Sequence, residues 1–348
     1  MDSWGADRNG EFVIRFSGEK GKWYALQRTS ALGESAFWHI VACIRAESDG
    51  EMELRSCPPE RWGSGFYRVV KAATYLVVDM SGGQDVEKWP VSELECEPAD
   101  GWTDEYKTTK LVLRRIEAGM FKMGSPSSES GRNSNENQHN VTLTKPYYMG
   151  IFEVTKKQYQ IVTGGYQAYG SQEMRPVVEV SWDDIRDDSG WPDSMEVSAS
   201  SFMGRLRAKT GRTFDLPTEA QWEYACRAGT TMAYSYGDSA DENFMWYASN
   251  SSQQPHDVGT KQPNAWGLYD MHGNVEEWCL DYLDKWAGYE TVDVIDPVGF
   301  PSGSVRALRG GSCYYKAPRC RSAYRGYSSP SNRSTGLGFR LCCPAEMP

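Results

Sequence analysis

Two glycine-containing motifs near the C-terminus constrain the fold of this chain most strongly. Arg309-Gly310-Gly311-Ser312 has two adjacent glycines, which indicate backbone torsions or close approaches that other residues cannot adopt. Further along, Leu337-Gly338-Phe339-Arg340-Leu341 alternates apolar residues with a glycine and predicts a final core strand. We therefore expect residues 313–336, between the motifs, to form a surface that is held rigidly at both ends.

The composition of segment 313–336 is typical of a binding surface. Tyrosine combined with serine, glycine and asparagine is the composition of an antibody-like paratope, in which aromatic anchors give contact area at low entropic cost. The alternative is an ordinary polar loop rich in turn-forming residues. The residues predicted to line a ligand-binding face are Tyr314, Tyr315, Arg319, Tyr324, Gly326, Tyr327, Ser328, Ser329, Asn332, Ser334 and Thr335.

Many residues of the same segment are related to one another through a single codon. Tyr, Ser, Gly, Cys and Thr can all be reached from an AAC asparagine codon by changing adenines only. The residues between them have the character of a fixed scaffold: Arg321, Ser322, Ala323, Arg325, Pro330 and Arg333. This alternation indicates a face whose residues are diversified on a constant framework.

Length and charge limit the possible functions. At 348 residues the chain has room for two domains or one large one, and an apolar fraction of 39% supports a substantial core. The net charge of −10 disfavours a nucleic-acid groove. No apolar run approaches the roughly twenty residues of a membrane helix. No signal peptide is visible, so we expect a cytoplasmic location unless a leader has been removed.

The cysteines and histidines do not form a metal or redox motif. Nine cysteines are scattered without a CxxC pair, and only four histidines are present. A zinc ribbon or a thioredoxin-like site is therefore not expected. Free, partly buried thiols in a reducing compartment are the expectation.

Residues 1–105 are predicted to form a small β-rich domain. Short β-branched or aromatic runs at 12–16, 37–42, 66–70 and 75–79 are separated by turn-forming clusters. We predict an antiparallel sheet or sandwich with a role in spacing or attachment. A polar join at 98–105 precedes a second domain, 106–348.

The second domain is predicted to mix strands and helices. Strands are expected at 111–116 and 120–124, paired as a hairpin, and at 141–143 and 147–151, with a loop at 125–138. Helices are expected at 155–164, 198–210 and 218–229. Thr155 with Gln158 and Thr218 with Gln221 form capping boxes, and Cys226 is expected on the buried face of the third helix.

Oxygen donors cluster around a turn at Gly273. Asn274, Val275 and Glu277 could offer side-chain and carbonyl oxygens to one calcium ion, which takes about six to eight such ligands. Asn243 is a candidate for a second ion. The alternative is that Asn274 and Glu277 only accept hydrogen bonds from turn amides. Calcium would be structural in either place.

Several motifs occurring in one order give the chain a family resemblance. Over about residues 108–348 it resembles the formylglycine-generating-enzyme (sulfatase-modifying factor) domain. That resemblance implies an α+β fold, a variant of the C-type lectin fold, preceded here by a small all-β domain. The motifs are MGSP at 123–126, VTKKQY at 154–159, RPVVEVSWDD at 175–184, LPTEAQWEYACRAG at 216–229, NAWGLYDMHGNVEEW at 264–278, RGGS at 309–312 and GFRL at 338–341.

The resemblance also implies a possible enzymatic activity. These enzymes oxidise a cysteine of a sulfatase with copper held by two cysteines, which lie a few residues apart between the RGGS and GFR motifs. Here Cys313 and Cys320 are the only cysteines in that segment. Their spacing is wider than in the enzymes, and Cys313 stands where many relatives carry tryptophan. A histidine-ligated iron site, as in the sulfoxide-synthase relatives, would need a cluster that these histidines do not supply.

The tail resembles a narrower group, the variable proteins of diversity-generating retroelements. In those proteins adenine-directed mutagenesis varies surface codons between the two anchors. By this resemblance Arg321, Arg325, Arg333 and Arg340 would support the face from behind. Lys316 and Arg319 depart from the pattern, since neither need come from an asparagine codon.

The leading functional prediction is a non-enzymatic protein that binds a protein or glycan ligand, with no cofactor required. The alternative is a copper-dependent formylglycine-generating oxidase with Cys313 and Cys320 as catalytic residues. A third possibility is a regulatory or structural module without a variable ligand. No nucleic-acid partner and no membrane span are expected.

Overall fold

The computed structural model describes residues 3–6, 12–18, 23–29, 39–45, 49–56, 66–71, 75–165, 172–187, 190–283 and 292–345. The chain divides into two compact units, 1–75 with 93–99, and 76–92 with 100–348. The sequence predicts one boundary, after residue 105. In this division residues 76–92 belong to the second unit, although residues 93–99 belong to the first. Helices and strands both occur, as the predicted α+β class requires.

The first unit contains two antiparallel three-stranded sheets, with strand orders β1-β2-β5 and β4-β3-β6. Its strands are β1 (Ser3–Ala6), β2 (Phe12–Gly18), β3 (Trp23–Thr29), β4 (His39–Arg45), β5 (Gly50–Ser56) and β6 (Phe66–Lys71). The strand predicted at 37–42 is observed from His39, and residues 37 and 38 lie outside the described residues. The all-β character of the whole unit stays a prediction.

The remaining elements build the larger unit. Its strands are β7 (Tyr75–Asp79), β8 (Val91–Leu94), β9 (Lys110–Ile116), β10 (Gly119–Met123), β11 (His139–Leu143), β12 (Tyr147–Gly150), β13 (Glu276–Leu283), β14 (Val294–Ile295), β15 (Val305–Arg309), β16 (Gly326–Ser328), β17 (Leu337–Gly338) and β18 (Cys342–Pro344). Its helices are α1 (Glu105–Thr108), α2 (Lys156–Thr163), α3 (Trp182–Ile185), α4 (Phe202–Thr210), α5 (Glu219–Arg227) and a 3-10 helix at Ala317–Cys320.

Three sheets organise this unit. A five-stranded sheet has the order β18-β12-β9-β7-β8, a four-stranded sheet the order β16-β15-β13-β17, and a three-stranded sheet the order β10-β11-β14. The predicted hairpin of 111–116 with 120–124 is wrong, since β9 pairs with β12 whereas β10 pairs with β11. Strand β9 has neighbours on both sides, β12 and β7. It therefore has no free edge for β10.

Aromatic side chains fill the core between the sheets and helices. Trp182, Phe202, Trp278 and Phe339 are fully buried. The rings of Phe202 and Phe339 lie 5.1 Å apart in an edge-to-face arrangement, which is a favoured geometry for aromatic pairs. The strand predicted over 337–341 is interrupted: β17 pairs at Leu337–Gly338, and pairing resumes only in β18, from Cys342. The apolar residues of the predicted strand are core residues, as predicted.

Local capping explains where the helices begin. Thr155 and Thr218 form the predicted capping boxes of α2 and α5. Helix α4 begins at Phe202, later than predicted, because Ser201 caps it by accepting a hydrogen bond from the Gly204 amide. Cys226 is buried on α5 as expected. Among the described residues, no helix combines the length and the apolarity needed to cross a membrane.

Candidate ligand-binding surface

The first anchor motif holds the start of the tail by close backbone packing. After β15, Gly310 and Gly311 both have positive φ angles, of 90° and 68°, in the region that favours glycine. A Cβ on Gly311 would lie 2.4 Å from the carbonyl oxygen of Arg319. The Cys313 amide then donates to the Asn274 carbonyl at 2.9 Å. The glycine pair is therefore needed for the chain to pass the 3-10 helix at 317–320.

Buried arginines support the tail from inside the molecule. Arg321 pairs with Glu136 at 2.8 Å and also with Glu129. The guanidinium of Arg325 donates two hydrogen bonds to the Glu219 carboxylate, at 2.8 and 2.9 Å. These side chains are almost completely buried, and removal of either partner of such a pair typically costs about 3–5 kcal/mol. The two scaffold arginines thus fix the path of the tail.

The other two predicted scaffold arginines differ from each other in exposure. Arg340 is fully buried and binds Glu277 through two contacts of 2.6 Å. Arg333 is exposed and pairs with Asp184 at the start of α3. Four arginines were predicted to support the surface from behind, and one of them, Arg333, lies on the outside of the molecule.

Three residues of the predicted face lie together around a buried carboxylate. The Tyr315 hydroxyl hydrogen-bonds to Glu276, which is only 6% exposed. The guanidinium carbon of Arg319 lies 4.7 Å from the centre of the Tyr315 ring and 6.0 Å from that of Tyr324. Both tyrosines are half-buried, and Arg319 is exposed. We name Tyr315, Arg319, Tyr324 and Glu276 the tyrosine–arginine cluster.

Burial controls the protonation of the acidic member of this cluster. Burial raises the pKa of Glu276 to about 7, while the hydrogen bond from Tyr315 and the charge of Arg319 lower it. Glu276 in turn is the main cause that raises the pKa of Tyr315 to about 12. Glu276 was not among the predicted site residues. The available signal was a pair of adjacent acidic residues, Glu276 and Glu277, at the start of a buried strand.

Gly326 has a packing role at this position. It is buried on β16, and a Cβ there would lie 2.7 Å from the Oε1 atom of Glu276. The glycine therefore lies against the buried carboxylate, and its atoms add little area to the outer surface.

The remaining predicted face residues lie in β16 or in the chain before and after it. Tyr327 is 44% exposed. Tyr314 packs against Gly336, where a Cβ would lie 2.9 Å from its ring. The Asn332 amide donates to the Ser328 hydroxyl at 2.9 Å. Ser329, Asn332 and Thr335 are exposed, whereas Ser328 and Ser334 are half-buried.

The two candidate catalytic cysteines are buried free thiols. Cys313 and Cys320 have no solvent exposure, and Cys320 packs in an apolar cluster with Tyr234 and Met245. Burial, followed by the charge of Glu153, raises the pKa of Cys313 to about 12. Burial also raises the pKa of Cys320. Both side chains are therefore thiols at neutral pH, whereas copper is bound by thiolates.

The candidate calcium ligands already have protein partners. The Glu277 carboxylate binds Arg340 and accepts a hydrogen bond from the Trp222 indole at 2.7 Å. The side-chain oxygen of Asn274 accepts from the His256 amide at 2.9 Å, and its amide donates to Glu153. The Val275 amide donates to the same Glu153 carboxylate.

The second candidate ion site is separate from the first. Asn243 is exposed and bonds to Asp241. Within the part of the chain that the structure describes, no group of three or more His, Cys, Asp or Glu residues is arranged to hold a metal ion. Calcium binding through Asn274, Val275, Glu277 or Asn243 stays a prediction.

A cavity of about 270 Å³ lies elsewhere in the same unit. Its walls include Asp281, Glu219, Arg325 and Phe300. Burial and the neighbouring Glu219 raise the pKa of Asp281 to about 7. The cavity adjoins the buried side of the tail at Arg325 but is not lined by the predicted face tyrosines.

Solved structures of two other proteins resemble this chain. Treponema denticola variable protein 1 is 30% identical, with a TM-score of 0.57, over 68% of this chain and 96% of that protein. PvdO from Pseudomonas aeruginosa is 26% identical, with a TM-score of 0.54, over 67% of this chain and 94% of that protein. These similarities confirm the predicted fold of the formylglycine-generating-enzyme type.

Sequence relatives include enzymes of that type. The formylglycine-generating enzyme of Streptomyces coelicolor is 32% identical over 49% of this chain and 54% of that enzyme. The mouse enzyme is 30% identical over 50% of this chain and 45% of that enzyme. The matched region thus spans about half the length of these two enzymes. Residues 100–344 match the sulfatase-modifying factor enzyme 1-like domain, and the chain belongs to this family.

Proposed function

We propose that this protein is a non-enzymatic, variable ligand-binding protein that presents residues 313–336 as its binding face. The observation that carries the proposal is the rigid mounting of tyrosines on the tail. Buried pairs of Arg321 and Arg325 fix the backbone, while Tyr327 is exposed and Tyr315 is half-buried. A rigid aromatic surface loses little entropy when it binds a partner.

The similarity to Treponema denticola variable protein 1 supports the same proposal, since it extends over nearly all of that protein. The name of that protein describes variability. The codon relationship of the tail supports variability here, because face residues such as Tyr314 and Ser329 can be reached from an AAC codon by changing adenines only.

The test is to sequence the DNA beside the gene for this protein. We expect a near-copy of the segment that encodes residues 313–336, differing from it only where the copy has adenines. The face positions should coincide with those adenines, and the codons of Arg321 and Arg325 should not. If the flanking DNA contains no such copy and sister copies of the gene do not vary, the tail is an ordinary loop. The function would then be that of a regulatory or structural module.

The second candidate function is the copper-dependent oxidation of a cysteine in a sulfatase. It is favoured by the identity of about one residue in three to formylglycine-generating enzymes. The donors fit copper poorly, because both thiols are completely buried and offer no exposed sulfur to a copper ion or to a substrate cysteine. We therefore derive no reaction step through a metal at these residues.

Titration with Cu(I) distinguishes this candidate. An oxidase would bind one copper per chain and lose it in both Cys313→Ser and Cys320→Ser, but not in Cys96→Ser, whose cysteine lies outside the tail. We expect no stoichiometric copper that depends on Cys313 and Cys320. Copper lost only in the two tail variants would contradict the non-enzymatic proposal.

A further inference from the structure

We propose that the tyrosine–arginine cluster selects protein partners that present a carboxylate, from an aspartate or glutamate side chain, and that Arg319 binds this group. The inference rests on the proposed function and names the chemistry of its ligand. It comes from the unusual position of one arginine in the tail.

Arg319 differs from the other arginines of the two anchor motifs and the segment between them. All six of these arginines lie among the described residues, and five of them form salt bridges with a glutamate or aspartate: Arg309, Arg321, Arg325, Arg333 and Arg340. Within that described part of the chain, Arg319 has neither a carboxylate within 4.0 Å nor a side-chain hydrogen bond. Its contacts are the rings of Tyr315 and Tyr324.

The geometry keeps this guanidinium accessible and ordered. Arg319 is part of the 3-10 helix that the buried Cys320 anchors to the core. The guanidinium carbon lies over the Tyr315 ring, 4.7 Å from its centre. Stacking on an aromatic ring leaves the N–H groups at the edge of a guanidinium free for a planar acceptor. A carboxylate fits this edge with two parallel hydrogen bonds.

The neighbouring charges leave the site open to an anion. Glu276 is the acidic member of the cluster, and its carboxylate accepts a hydrogen bond from the Tyr315 hydroxyl rather than from Arg319. Lys316, also exposed, adds a second positive charge on the same turn. The chain as a whole has a net charge of −10. A positive group on such a chain would attract the acidic part of a partner to this one place and so orient it.

The surroundings favour a protein partner. Tyrosine and arginine are the residue types that dominate the energetics of protein–protein contacts, and Tyr327 lies exposed on the neighbouring strand β16. Exposed Ser329, Asn332 and Thr335 are short, so they would let a flat protein surface approach the two aromatic rings. A sulfated glycan offers a similar anion and is treated as an outcome of the test.

The test is selection from a phage-displayed library of random linear peptides on the immobilised full chain. We expect the selected peptides to share an aspartate or glutamate at one fixed position. Their Kd should rise about 10- to 100-fold in Arg319→Gln, as expected for loss of charge-assisted hydrogen bonds. Arg319→Lys should retain part of the affinity. The matched control Lys122→Gln, which removes an exposed positive charge on β10 outside the tail, should keep nearly all of it. Equal melting temperatures will show that the fold is kept.

The outcomes separate this inference from the proposed function. Peptides that lose affinity in Tyr327→Ala but share no acidic position would overturn the inference and leave the binding face in place. Peptides that are indifferent to both Tyr327 and Arg319, or a selection that yields none, would overturn both. A heparin-derived hexasaccharide is the second probe. Arg319-dependent binding to it, without acidic peptides, would overturn the choice of a protein partner in favour of a sulfated glycan.

Discussion

Two residues of the tail show how closely the binding face is packed onto the interior. Gly326 lies against the Glu276 carboxylate, and the same carboxylate is held by the Tyr315 hydroxyl. A change at the outer surface is therefore transmitted to a buried charge. This coupling separates the predicted face into residues with an exposed side chain, such as Tyr327, and residues that pack against the interior, such as Gly326.

Gly326→Ala is expected to destabilise the protein by about 1–3 kcal/mol, because overpacking displaces neighbouring groups. The effect is purely steric, since the new Cβ would lie 2.7 Å from Oε1 of Glu276. Gly165→Ala is the matched control, because no atom of the described residues lies within 4 Å of its Cβ position. We expect it to change stability by less than about 0.5 kcal/mol. Urea unfolding measures both. Equal stability of the two variants would show that residue 326 has room for a side chain.

Glu276→Gln tests the buried carboxyl of the cluster through the pH dependence of stability. Burial raises the pKa of Glu276 from its ordinary value of 4.5 to about 7, so the folded state binds a proton that the unfolded state releases. The stability that this group contributes is complete below about pH 4.5 and is lost as the pH rises through 7. The groups that interact electrostatically with it are Tyr315, Arg319, Cys320 and Tyr324.

We therefore expect the free energy of unfolding of the wild type, relative to Glu276→Gln, to fall between pH 4.5 and pH 7 by an amount on the order of 1–3 kcal/mol. Glutamine keeps an oxygen that can accept the Tyr315 hydroxyl. Comparing the two proteins removes the contribution of other buried acids. A difference between them that does not change with pH would show that folding leaves the pKa of Glu276 at its ordinary value.

Secondary-structure elements were predictable where their signal is local. The capping boxes of α2 and α5 are patterns of neighbouring residues, and both helices form where these patterns predict. The same pattern at Ser181 and Asp184 begins α3, which is too short to show a helical period and was missed. The partner of β9 could not be read locally, because pairing with β12 joins residues that are distant in the sequence.

The candidate site was predictable to the same extent. The tyrosines of the predicted face and the supporting arginines followed from composition and from the anchor motifs. Glu276 did not, since its role arises from contacts with Tyr315 in the tail and with Gly326 on β16. The salt-bridge partners of Arg321 and Arg325 also come from distant segments. The outer residues of the face stay a prediction from composition, whereas the buried carboxylate beneath them depends on contacts that only the structure shows.

Thr218→Ala is a test at the scale of one element. Thr218 accepts a hydrogen bond from the Gln221 amide at the start of α5, so its removal is expected to cost about 1 kcal/mol. The effect should extend to the tail, because Glu219 at the first position of α5 binds Arg325. Thr218→Ser keeps the hydroxyl and is the control. Denaturant unfolding that does not distinguish Ala from Ser would show that the cap contributes nothing to stability.

At the scale of the whole molecule, the family domain includes a segment that precedes the family match. The match begins at residue 100, whereas the compact larger unit includes residues 76–92. Strand β7 lies between β9 and β8 in the five-stranded sheet. Leu76, Val78 and Met80 are fully buried in the core of this unit, and Trp89 is nearly so. The segment is thus a structural part of the larger unit.

This arrangement predicts that the family domain is unstable without β7. A chain of residues 106–348 would lose those four core side chains, each worth about 1.5–3 kcal/mol of burial. Their sum is comparable to the whole stability of a typical domain, about 5–15 kcal/mol. A chain of residues 75–348 keeps them and should unfold cooperatively. Circular dichroism during urea unfolding compares the two. If 106–348 unfolded at the same urea concentration as 75–348, β7 would be an accessory strand and residue 106 a true domain boundary.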